Sequence, residues 1–151
     1  MAIVTMEDLL NRAAEFERKL VEFFADIRDK SEDNGVRLLT YYLARHRNHL
    51  DQALEVLESD GVLRVRRVQV KYDIDFQPDK ALKLVEMEPT TVKADELLNS
   101  AIAYDEQLIR LYRSILEQPV GEEAKALLEA LVRIEERDVV MLKKMLAMNY
   151  F

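Results

Sequence analysis

A chain of 151 residues, 49% hydrophobic and 34% charged, is long enough to bury one substantial core and too apolar to stay disordered. Its net charge of -7 disfavours nucleic acid or an anionic membrane surface as a general partner. The lack of cysteine removes disulfides, thiolate metal sites and a cysteine nucleophile. No apolar run approaches the roughly 20 residues that span a bilayer. The opening MAIVTMEDLL has neither the basic flank nor the apolar core of a signal peptide. The expectation is one cytoplasmic domain over 1–151.

In chain order, Thr5 followed by Glu7 and Asp8 has the character of a helix N-cap with acids in the first turn. The first helix should cover about 6–30. Met6, Leu10, Ala13, Glu17, Leu20, Phe24 and Ile27 recur at alternating steps of four and three, the spacing of a packed seam. Ser31 to Gly35 is a polar break that can end this helix and cap the next, expected at about 32–59. That second seam is Leu39, Tyr42, His46, His49, Ala53 and Val56. Ser59-Asp60-Gly61 should stop it, with Gly61 as C-terminal cap.

Residues 62–90 form a long crossover. From Val68 to Phe76, apolar and polar residues alternate, the pattern of a half-buried strand. A single strand is unstable alone, so it should lie across the helices or pair with its copy in a dimer. Arg64, Arg66, Arg67 and Lys71 are read as a solvated strand face, because Asp73 and Asp75 follow at once. A short helix over 79–87 precedes Pro89. The third helix, about 91–118, has the seam Leu98, Ala101, Asp105, Leu108, Tyr112 and Ile115. The fourth, about 122–149, has Leu128, Leu131, Glu135, Asp138, Leu142 and Met145. The expected fold class is all-α, an antiparallel four-helix bundle of two helical hairpins.

Six ionisable residues thus interrupt apolar seams: Glu17, His46, His49, Asp105, Glu135 and Asp138. Each half places one acid on its first helix and two ionisable residues three apart on its second, and a shift of 88 or 89 residues superposes the halves. Burying an ionised carboxylate without compensation costs at least several kcal/mol. Gathering these groups at one level calls for mutual pairing or a cation, and His with Asp and Glu are ligands that iron, manganese and zinc accept.

This pattern resembles the ferritin-like di-iron proteins, nearest the rubrerythrin-like and bacterioferritin-like branch. In that family each half supplies a Glu and then a Glu-x-x-His. By that resemblance Glu17 stands for the first-helix Glu, followed seven residues later by Phe24. His46 and His49 stand for the second-helix pair, Asp105 for the third-helix Glu, and Glu135 and Asp138 for the last pair. Three positions depart: His46 for Glu, Asp105 for Glu and Asp138 for His. The resemblance implies iron, or manganese or zinc, as one or two ions, and for iron a reaction with oxygen or peroxide, or iron oxidation. Glu17, His46 and His49 would make a two-histidine, one-carboxylate set. Asp105, Glu135 and Asp138 would make an all-oxygen half, so the centre should be asymmetric and could be mononuclear.

The metal-free alternative is a polar network in which protonated imidazoles pair with Asp138 or Glu135, in a module serving structure, interaction or stress. Glu15, Glu22, Glu106 and Glu136 lie off the seams and should be solvated. Tyr42, Tyr104 and Tyr112 should pack, and Met141, Met145 and Met148 should fill an end of the bundle. No phosphate loop or nucleophile elbow occurs. The expected partners are a metal ion and a second copy or more of the chain, without nucleic acid or membrane.

Overall fold

The computed structural model describes residues 2–45, 48–72 and 88–149. Described residues are mostly helical, with one small two-stranded sheet. Strand β1 (Ala2–Thr5) leads directly into α1 (Met6–Lys30), because Thr5 does two jobs. It ends the strand, and its side chain accepts the Asp8 N–H while Asp8 accepts the Thr5 N–H, a reciprocal capping box.

On α1 every apolar seam residue from Met6 to Ile27 is buried. Burying each large member stabilises the fold by about 1.5–3 kcal/mol, so the seam tolerates one polar interruption at the half-buried Glu17. Ser31 caps the end of α1, and the Asp33 carboxylate accepts the Gly35 and Val36 N–H groups at the start of α2 (Asn34–Arg45). The polar break therefore serves both helices, as expected.

The second helix is not continuous over 32–59. It is described as far as Arg45, and a separate helix, α3 (His49–Leu54), starts after the non-helical Asn48, which makes no side-chain cap. With α3 stopping at Leu54, Val56 falls off the seam and is 50% exposed. Gly61 does not cap a helix end either. It lies buried within α4 (Ser59–Arg66), where a Cβ would come 2.5 Å from Glu123 Oε2. That contact is with the tip of a flexible, partly exposed side chain, and Gly61 makes no left-handed turn.

The period-two stretch forms β2 (Gln69–Tyr72), which pairs antiparallel with β1 in the register Val4↔Val70. Val70 is 1% exposed, so this strand finds its partner and its cover within one chain and does not present Val70 to a second copy. The expected strand over 73–76 and the short helix over 79–87 lie outside the described residues.

Helices α5 (Ala94–Leu116) and α6 (Glu122–Ala147) make the broadest packing contact, and the connection at 117–121 is short enough to force them antiparallel. Gly121 takes φ 86 at the start of α6, a conformation that suits glycine. Helix α1 packs on α2, and α3 packs on α6. The interior these contacts enclose runs from Met6 and Leu10 through Leu39, Ala101 and Leu131. No helix among the described residues is long and apolar enough to cross a membrane.

Candidate metal centre

Three of the helices send ionisable groups into that interior. Asp105 is one turn past Ala101 on α5, and Glu135 is one turn past Leu131 on α6, so helical periodicity carries both carboxylates onto faces otherwise made of Leu, Ala and Ile. Asp138 follows Glu135 by three residues on the same face. His49 opens α3, and the packing of α3 on α6 brings its ring to the two acids.

One ligand atom from each of His49, Asp105, Glu135 and Asp138 lies within 4.8 Å of the others. The group is sealed: Asp105 is 0%, Glu135 1% and His49 3% exposed. Only the Asp138 side chain, at 12%, retains appreciable solvent contact. His49 Nδ1 is 2.9 Å from Glu135 Oε1, a hydrogen bond in which the ring N–H donates to the carboxylate. That contact fixes the ring and selects the tautomer protonated at Nδ1, leaving Nε2 directed toward Asp138 Oδ2 at 4.0 Å.

Of the six residues singled out in the sequence, four are brought together here. Glu17 stands apart from this group of ligand atoms, its Oε1 accepting the Leu50 N–H at 3.4 Å. It remains an electrostatic neighbour, because its charge acts on the Tyr112 phenol. His46 lies outside the described residues. The structure therefore regroups the expected halves: His49 joins Asp105, Glu135 and Asp138, instead of standing with Glu17 in a set separate from the all-oxygen one.

The tyrosines mark the field of the site. Burial, the charges of Glu135, Glu17 and Asp105, and its neighbour Tyr104 push the Tyr112 phenol well above its ordinary value. Burial and the charge of Asp138 raise that of Tyr42. Both stay protonated at neutral pH and are packing neighbours able to donate hydrogen bonds. The off-seam acids are engaged on the surface as expected, with Glu15 near Lys19, Glu22 on Arg18, Glu106 near Lys143 and Glu136 on Arg113. Glu135 points inward and Glu136 outward.

The donor set suits a divalent cation. Donor atoms held about 2.1 Å from one ion lie about 3.0–4.2 Å from one another, so a spread within 4.8 Å needs only small side-chain shifts. Three carboxylates with one imidazole favour manganese, iron or zinc over softer ions. A histidine whose second ring nitrogen donates to a carboxylate is the usual arrangement around a protein-bound metal.

No family model, no curated protein and no solved structure matches the chain.

Proposed function

We propose that the protein is a ferritin-like metal-binding protein, a four-helix bundle holding one divalent cation, iron, manganese or zinc, among His49, Asp105, Glu135 and Asp138. The observation that carries this reading is the convergence of three carboxylates and an imidazole from three helices inside an apolar core. Carboxylates gathered in an apolar interior call for compensation, and a divalent cation supplies two charges at once. The Nε2–Asp138 separation of 4.0 Å gives further support. It is too long for a hydrogen bond and close to the spacing of two donors on opposite sides of a shared ion.

Within this reading Glu135 orients the imidazole through Nδ1, and Nε2, Asp105 and Asp138 supply donor atoms. Tyr112 and the apolar walls exclude bulk water. Bound iron would supply one-electron chemistry with oxygen or peroxide, making the protein an oxidoreductase or an iron-handling protein. Isothermal titration with Mn2+ or Zn2+ tests the reading: one tight equivalent is expected, lost in His49→Ala and in Asp138→Asn. Tight binding that survives both substitutions places the ion elsewhere, and no binding removes the reading.

The 2.9 Å contact between His49 and Glu135 also favours a second reading, in which the imidazolium neutralises the acids without metal and the domain serves as a structural or interaction module. Protein purified without chelator and containing less than a tenth of an equivalent of any transition metal, with no heat response to added metal, would select it.

A further inference from the structure

Beside the cluster, α2, α3 and α6 leave a recess of about 150 Å3 that touches two of the four clustered side chains, His49 and Asp138, but neither Asp105 nor Glu135. Ile134 and Met141 form apolar walls, and Arg137 also lines it. Arg137 is exposed and Met141 is 47% exposed, so the recess reaches the surface. Asp138, which lines it, has the most solvent contact of the four clustered side chains.

The size limits what passes. Pockets that enclose an organic ligand hold about 300–1,000 Å3; this one has room for several waters, an ion or a molecule of a few heavy atoms. Among the described residues, Asp138 is the one carboxylate in its lining. A cation moving inward would pass the Gln52 amide and the Tyr42 hydroxyl, lose waters against the apolar walls and gain Asp138 as its first carboxylate. The guanidinium of Arg137 on the rim repels a cation in the approach.

Resting on the cation-site reading, we propose that this recess is the port through which a partly hydrated divalent cation reaches the cluster, with Asp138 as the first ligand met and Arg137 as an electrostatic brake at the rim. A port changes how fast an ion arrives and leaves without changing how tightly it is held. Ile134 and Met141 donate no ligand atom, so filling the recess from those positions separates the two quantities.

The test is stopped-flow binding and release of Mn2+ or Zn2+, followed with a competing chelator dye, alongside equilibrium titration. In Ile134→Trp, association and release should both slow by about tenfold with Kd unchanged. In Arg137→Gln, association at low ionic strength should quicken by about twofold to tenfold, and the gain should shrink as salt is added. Met141→Trp, at a half-exposed position, provides a second plug where Ile134→Trp fails to reach wild-type helicity. Wild-type rates in the folded plug variant together with wild-type rates in Arg137→Gln would overturn the port while leaving the ion site intact. Failure of the wild-type protein to bind either metal removes the site itself, and the port with it.

Discussion

His49 Nδ1 and Glu135 Oε1 lie 2.9 Å apart, across 86 residues of sequence, with less than a twentieth of either side chain exposed. Because α3 is only six residues long, this contact ties a short helix to the middle of a long one. Truncating the ring removes this hydrogen-bond partner from a buried Glu135. His49→Ala should therefore lose about 3–5 kcal/mol of stability in urea unfolding at neutral pH with chelator present. A loss below about 1 kcal/mol would mean that the pair contributes little.

Bound cation should stabilise the folded chain in proportion to its affinity. At a hundredfold excess over Kd the gain is about 2.7 kcal/mol, which for a domain of this size raises Tm by about 5–10 °C. Differential scanning fluorimetry with Mn2+ or Zn2+ should show this shift in the wild type, its reversal by chelator, and its absence in Asp138→Asn. An equal shift in that variant would assign the stabilisation to other groups.

Tyr112 gives stability an alkaline limit. Its phenol is raised well above 10.0 in the folded chain, chiefly by burial, so the unfolded chain gives up this proton first as pH rises. The contribution is whole below about pH 10 and falls by up to about 1.4 kcal/mol per pH unit from there toward the folded value. Urea midpoints measured from about pH 8 to 11 should decline less steeply in Tyr112→Phe than in the wild type. Parallel curves would show that Tyr112 is not the group responsible.

At the sheet, the Gln118 side chain accepts the Lys71 N–H at 2.8 Å and donates to the Lys71 carbonyl, occupying backbone groups that would otherwise face water. Gln118→Ala should speed hydrogen exchange at the Lys71 amide and leave the core amides of α5 unchanged. Val70→Lys, by contrast, places a charge at a site 1% exposed and should destabilise the whole chain by several kcal/mol. A stable Val70→Lys variant that differs from the wild type only in oligomeric state would show that Val70 faces another copy.

Much of this architecture was legible because one helical face carries two messages. The alternation of three and four places Leu98, Ala101, Leu108 and Ile115 inside, and the same count places Asp105 with them, so the residue that breaks the apolar pattern is found by the pattern. The break at Asn48 carried no such mark, because Tyr42, His49 and Ala53 keep helical spacing across it. Gly61 misled for a related reason: Ser-Asp-Gly suits the end of one helix and the start of the next, and here it lies in the first turn of α4. Strand β1 was hidden by brevity. Ala2–Thr5 is four residues long, and its partner lies 64 or more residues away, so no local signal announces it. The meeting of His49 with Glu135 and Asp138 was among the expected pairings, because the seams put these groups at one level, but spacing alone did not single it out.

Anomalous diffraction tests the central claim most directly. Crystals grown without chelator and soaked in Mn2+ or Zn2+ should give one strong anomalous peak about 2.0–2.2 Å from His49 Nε2 and from carboxylate oxygens of Asp105 and Asp138. A map with no peak among these side chains, and His49 hydrogen-bonded to Glu135 and Asp138 at ordinary lengths, would contradict it.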